Sequence, residues 1–236
     1  MTIPRPSTGP STGLADSPKL KSVSLREQAR EAVRTRIVLG QIEPGQVESV
    51  INVAATLGVS VTPVREAIMD LANLGMVEII RNRGFRVPEL TDHDLDEIFR
   101  IRTMLEASAM ADVVQALDGA PVPRFRQLAE QITEAARDGD LVSFLDRDRQ
   151  FHLGLLELLG NRRLVAMVGQ LRDQARMQGL QKLADQGELT QSGEEHIAIV
   201  DAIETGDSEL ATELMRKHLA HSRGIWAGRA ETEGDD

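Results

Sequence analysis

Residues 54–75 read AATLGVSVTPVREAIMDLANLG, and this stretch decides the fold of the amino-terminal third. Two helical patterns flank a turn at Leu57-Gly58-Val59-Ser60. A glycine suits the end of the first helix, and Ser60 or Thr62 suits the N-cap of the second. Pro63 stands near the first helical position, where its missing N–H costs nothing. Val64, Ala67, Ile68, Leu71 and Leu74 recur at spacings of three and four and form one apolar face. Thr62, Arg65, Glu66, Met69 and Asn73 are left pointing outward. A helix, a tight turn and a second helix make a helix-turn-helix. In that motif the second helix enters a DNA major groove and its N-terminal residues meet the bases.

Working outward, residues 25–39 form a preceding helix with Ala29, Ala32, Val33, Ile37 and Val38 on its inner side. Ser24 and Glu27 fit a capping box at its start. Gly40 ends it, Glu43-Pro44-Gly45 is a turn, and residues 51–57 are the short first helix of the motif. Gly75 caps the recognition helix. Two short strands, 76–80 and 85–87, are joined through Arg81-Asn82-Arg83-Gly84 and make a β-hairpin wing. Arginines at such a tip, Arg86 among them, favour contact with phosphate or the minor groove.

The run LGVS-x-TPVREA, the hydrophobic hairpin after it and the Arg-Asn-Arg-Gly tip resemble the winged-helix domain of GntR-type bacterial transcription regulators. The resemblance spans residues 25–88 and implies operator DNA as the partner. With the outward positions, it points to Ser60, Thr62, Arg65, Asn73, Arg81, Arg83 and Gly84 as the DNA-facing set. Two positions depart from the family pattern, which has an Arg between the Ser and the Thr of the turn and a polar residue at the start of the preceding helix. Here Val61 and Ile51 stand there. Valine can touch a thymine methyl but cannot hydrogen-bond a guanine. The operator is therefore expected to differ from the family's usual one, or to be bound less tightly.

The chain has 236 residues, 41% of them hydrophobic, and no cysteine. That excludes disulfides and thiolate metal ligands. No apolar run approaches the length of a membrane span, and no signal peptide is seen, so a cytoplasmic protein with no membrane partner is expected. Charge is uneven. Residues 1–88 hold 11 Lys/Arg against 8 Asp/Glu, and residues 89–236 hold 16 against 29. The basic excess gathers on the module expected to meet phosphates.

The expected organisation is a disordered tail at 1–19, a winged-helix domain at 20–88, a helical domain at 89–228 and an acidic tail at 229–236. After Pro88 every pattern reads as helix: 91–117, 122–137, 140–159, 162–184, 190–204 and 208–226. Six such helices with short connections make an antiparallel bundle. The fold class is thus mainly α, a winged helix-turn-helix followed by a six-helix bundle.

Polar groups fall on the inner faces of that bundle. Asp148 and His152 lie one turn apart among Phe144, Phe151, Leu155 and Leu159. His196 shares a face with Ile199, Val200 and Ile203, and His218 follows Leu210 and Leu214. A buried carboxylate is costly unless paired or bound to a metal. One core histidine has an ordinary explanation in a hydrogen bond. Four ligand-type groups on three helices suit one divalent transition metal, zinc first, with nickel, manganese or iron as the others. His221 is the substitute if His218 faces away, and Glu194 and Glu195 are expected to face outward.

DRQFH at 148–152, Gly-Asn at 160–161, His196 before Ile-Ala-Ile-Val, and Met215-Arg-Lys-His218 resemble the FCD ligand-binding domain. That domain follows the winged helix in the FadR branch of GntR regulators, and six helices rather than seven resembles the VanR-type subgroup. The resemblance puts the metal ligands on Asp148, His152, His196 and His218. It implies a small carboxylic acid bound beside the metal, and a homodimer. It also puts Arg102 near the effector, where a guanidinium would grip a carboxylate. The other reading of Arg102 is an ion pair with Glu106 at the bundle surface. Glu106 and Arg172 complete the candidate effector set, with Arg172 and Gln174 its weaker members. Two rival functions remain: a regulator for which the metal itself is the signal, and a metal-dependent enzyme. The enzyme is disfavoured, because the chain has no HExxH motif, no Ser/His/Asp arrangement and no phosphate-binding glycine loop.

Overall fold

The computed structural model describes residues 24–117, 122–178 and 188–226. Both expected tails lie outside these residues, as does the end of the fourth bundle helix expected at 179–184. The first helix, α1 (Leu25–Val38), starts at Ser24, whose hydroxyl accepts from the Glu27 amide while Glu27 accepts from the Ser24 amide. The expected capping box is therefore present. Helix α2 (Val50–Leu57) stops at Gly58, which is left-handed at φ +67°. Helix α3 (Val61–Asn73) begins after Ser60, so Pro63 is its third residue rather than its first. Proline is tolerated there because the N–H groups of the first turn have no carbonyl to reach within the helix.

Strands β1 (Val47–Glu48), β2 (Glu78–Ile80) and β3 (Gly84–Arg86) form an antiparallel sheet in the order β1-β3-β2. The sequence pattern predicts only the hairpin of β2 and β3. A two-residue strand is too short to show alternation, so β1 leaves no periodic signal. Gly84 lies at φ +133°, and a Cβ there would sit 1.9 Å from the Glu48 carbonyl oxygen. Val33, Ile37, Val64, Ile68, Leu71, Met76 and Phe85 pack as the core of this domain.

Beyond the wing, α4 (Asp92–Arg102) is capped reciprocally by Thr91 and Asp94. It runs through a π-helical turn (Thr103–Ala107) into α5 (Ser108–Leu117). Then come α6 (Pro123–Asp138), α7 (Leu141–Glu157), α8 (Arg162–Ala175) with a 3₁₀ turn at Arg176–Gln178, α9 (Glu188–Glu204) and α10 (Ser208–Trp226). Counting α4 through α5 as one rod, the described residues hold six helices of the bundle. Gly193 lets α9 lie close to α6, since a Cβ there would come 2.8 Å from the Thr133 Cα. Among the described residues no helix is long and apolar enough to cross a membrane.

The winged helix rests on α8. The Leu74 carbonyl, at the C-terminus of α3, accepts from Gln174 at 2.8 Å and Gln170 at 3.2 Å. Asp173 takes Arg34 of α1 at 3.1 Å and Arg149 of α7 at 2.8 Å. Gln174 thus belongs to this junction and not to a pocket.

Candidate metal and effector site

Helix α7 supplies Asp148 and His152, α9 supplies His196 and α10 supplies His218, and all four are buried. The periodicity of each helix turns these residues inward, and the packing of three helices brings them together. Their ligand-type atoms lie within 4.8 Å of one another. His152 Nε2 is 3.2 Å from His196 Nε2 and 3.2 Å from His218 Nε2. Asp148 Oδ1 is 3.4 Å from His196 Nε2 and 3.7 Å from His152 Nε2.

The outer nitrogens fix the tautomers of His196 and His218. His196 Nδ1 is 2.8 Å from the Ser192 carbonyl, which can only accept, so the proton is on Nδ1. His218 Nδ1 donates to Glu195 Oε2 at 2.7 Å, and His221 Nδ1 to Glu195 Oε1 at 2.6 Å. Glu195 therefore turns inward, against the outward position expected from its own helix. His221 stands behind His218 rather than replacing it. His152 Nδ1 faces Glu106 Oε2 at 3.1 Å, within ion-pair range but off hydrogen-bond alignment. With Nδ1 protonated on His196 and His218, their Nε2 lone pairs both face His152 Nε2, so three ring nitrogens converge. Metal–nitrogen bonds of about 2.0–2.1 Å in a tetrahedral arrangement place ligand atoms roughly 3.3 Å apart. The observed spacing fits a small divalent ion.

Charge is tuned to the same end. Burial opposes ionisation of Asp148, but Arg172 and Arg176 outweigh it and hold its carboxyl well below the usual range. Glu106 is held low in the same way by Arg102 and Arg172. Burial, reinforced by Arg172, pushes His152 well down, and burial with neighbouring His196 pushes His218 down to about 4. Glu195 is buried in part, yet the hydrogen bonds from His218 and His221 bring it to about 2. Near neutral pH the carboxylates are charged and the His152 and His218 imidazoles neutral, the forms that bind metal.

Arginines crowd the open side. Arg102 Nε donates to Glu106 Oε1 at 2.6 Å, and Arg172 Nη1 to Glu106 Oε2 at 2.8 Å. Arg172 and Arg176 both donate to Asp148 Oδ2. The Arg102–Glu106 pair exists, as one expected reading has it, but it is buried and not at the bundle surface. The π-helical turn begins directly after Arg102 and contains Glu106, and both side chains are buried. Arg176 was not among the expected site residues, although it lies one turn beyond Arg172 on the same side. Arg102, Arg172, Arg176, Ser192, Ser222, Phe144 and Leu189 line a cavity beside Asp148. Its open space is about 20 Å³, little more than a water needs.

On the other domain, Ser60, Thr62 and Arg65 are exposed at the start of α3. Asn73 is exposed too, but at the far end of the helix, roughly 16 Å from Thr62 at 1.5 Å per residue. Arg81 and Arg83 are exposed at the wing tip, around Asn82 at φ +61°. Arg86 instead pairs with Glu78 across the hairpin. Gly84 has a packing reason for being glycine, the close approach of β1. Ile51 is 67% exposed at the start of α2, an apolar group left facing solvent.

Comparison with known proteins bears on both halves. Residues 25–87 match the model of the bacterial regulatory proteins of the gntR family, and residues 97–221 match the FCD domain. The HTH-type transcriptional regulator McbR of Escherichia coli is 30% identical over 208 residues, 86% of this chain and 94% of that protein. A relative from Paenarthrobacter nicotinovorans, named as a D-xylose utilization operon transcriptional repressor, is 32% identical over 206 residues, 87% of this chain and 90% of its own. The solved structure of E. coli McbR/YncC superposes with a TM-score of 0.78 at 28% identity, covering 87% of this chain and 98% of that one. A GntR-type regulator from Rhodococcus sp. RHA1 shares the fold, with a TM-score of 0.69 at 22% identity over 87% of this chain and 99% of that one. Matched at both its winged helix and its helical domain, this chain belongs to the GntR family of transcriptional regulators, in the branch that carries an FCD domain.

Proposed function

We propose that this regulator binds operator DNA as a homodimer, and that a small carboxylic acid bound beside a divalent metal controls its operator affinity. The observation that carries the reading is the convergence of three imidazole Nε2 atoms and Asp148 Oδ1 in a buried site. Asp148, His152, His196 and His218 would hold the ion, and zinc suits a tetrahedral set of three nitrogens and one oxygen best. When bound, the metal supplies a Lewis-acid anchor for a carboxylate oxygen. Arg102 and Arg172 bring guanidinium groups to the acid, and Glu106 holds both in place. Ser60, Thr62 and Arg65 face base edges, Arg81 and Arg83 face phosphates, and Asn73 and Gly84 take lesser parts. The DNA-binding unit is residues 20–88 and the sensing and dimer-forming unit is residues 89–228. A regulator acting on operator DNA works in the cytoplasm.

An acid can shift operator affinity only as far as it binds the DNA-free and DNA-bound forms unequally. A coupling of about 1–3 kcal/mol moves affinity by roughly 5- to 150-fold. The test is an operator titration with a panel of small carboxylates, on wild type and on His152→Ala. Wild type should respond to at least one acid, and His152→Ala should bind operator and lose the response. A response that survives in His152→Ala, after its metal is shown to be gone, contradicts the reading.

A further inference from the structure

The DNA face proposed above carries two apolar side chains at the starts of its helices. Arg65 is exposed and is the single basic residue of α3. Val61, the first residue of α3, stands one turn before it on the same edge, roughly 6 Å along the axis. Val61 is half-buried and packs against the domain core. A β-branched side chain in a helix keeps one rotamer, so the part of Val61 that faces solvent is held in place. Ile51, the second residue of α2, is 67% exposed. A Cβ on Gly84 would meet Glu48 and Ser49, so the wing runs beside the start of α2. A lone exposed isoleucine is ordinary on a protein surface. On a surface that covers a major groove its choice of partner is narrow, because the thymine 5-methyl is the apolar group that base edges present there.

We propose that Val61 and Ile51 set operator specificity by each reading a thymine through its 5-methyl group. The thymine under Val61 lies within about two base pairs of a guanine taken by Arg65, since one helical turn spans about two base-pair steps. The proposal rests on the DNA face assigned to α3 and the wing, and narrows what that face recognises. Valine and isoleucine side chains have no donor for guanine O6 or N7 and no acceptor for the amino groups of cytosine or adenine. What they offer is contact with a methyl and exclusion of water from both partners. Such a contact carries no charge and releases no counterion, so its share of the affinity is independent of salt, unlike that of Arg81 and Arg83.

In the experiment the full-length chain selects sites from a random duplex pool. The enriched site is then remade with deoxyuridine in place of each thymidine in turn, which removes only the 5-methyl group. At the thymines under Val61 and Ile51 this should weaken binding about three- to fivefold, the worth of one buried methyl. The factor should be the same at low and high salt. At the same positions, 5-methylcytosine should bind better than cytosine by a similar factor, because it returns the methyl without the thymine. Val61→Ala should lose the uracil effect beside the guanine and keep the other, and Ile51→Ala should do the reverse. Ile51 is exposed, so its variant keeps the test open if Val61→Ala fails to fold. Val61→Arg should enrich guanine where wild type enriches thymine. A change below about 1.5-fold at every thymine in wild type overturns the proposal and leaves the DNA face standing, because the enriched site is still bound. Uracil effects that persist unchanged in both alanine variants also overturn it. If no sequence is enriched at all, the DNA face and the proposal fall together.

Discussion

Asp148 is the residue on which the two chemistries of the bundle meet, one oxygen toward imidazoles and the other toward guanidiniums. Asp148→Asn keeps its shape and removes its charge, leaving Arg172 and Arg176 buried without their shared partner. Breaking a buried pair in this way costs about 3–5 kcal/mol. Urea unfolding of the metal-stripped chain should show that loss, and a change under about 1 kcal/mol would mean that the arginines find another partner. On the DNA side, Arg65→Ala should cost about 1–3 kcal/mol on the operator and relax sequence preference if the side chain reads a base edge. Arg81→Ala with Arg83→Ala should instead weaken all DNA alike and reduce the salt dependence, as loss of phosphate contacts does. Unchanged binding in both would remove the assignment of this surface. The four ligand-type residues were legible because each sits on the apolar stripe of its own helix. Glu195 was not, because its partner His218 belongs to α10, and the periodicity of a single helix carries no information about its neighbour.

At the scale of elements, α8 faces both ways. Arg172 reaches into the site, while Gln170, Asp173 and Gln174 hold the winged helix. Any movement of Arg172 that turns or shifts α8 is felt at the C-terminus of the recognition helix. A second path, a covalent one, runs from the wing through Pro88 into α4. The double variant Gln170→Ala/Gln174→Ala should therefore bind metal and acid within about twofold of wild type yet lose most of the 1–3 kcal/mol coupling to operator. The two affinities, measured by calorimetry and by operator titration, separate the outcomes, and full retention of coupling would remove α8 from the route. Long amphipathic helices were legible from period and caps. The register shift of the π-helical turn was not, since Arg102 and Glu106 are spaced as in any α-helix.

For the whole molecule, one winged helix covers one half-site, and a palindromic operator needs two. Sedimentation should give twice the 25.9 kDa chain mass, and a single-chain mass with and without DNA would contradict the homodimer. The charge asymmetry fits this arrangement, with the basic excess kept on the DNA-facing unit and the acidic excess on the rest. Domain order and bundle architecture could be read from the sequence because they follow from local pattern. Of the arginine-lined cavity, Arg102 and Arg172 were expected and Arg176 was not, because the cavity is made only where helices from distant parts of the chain meet.

Whether Asp148, His152, His196 and His218 hold a metal is decided by elemental analysis. The full-length chain is purified without added metal or chelator, next to His152→Ala, and metal is counted per protomer. Wild type should carry close to one divalent transition metal and the variant little. No stoichiometric metal in wild type, and none taken up when zinc is offered, would make the four residues a hydrogen-bonded core cluster and would contradict the account.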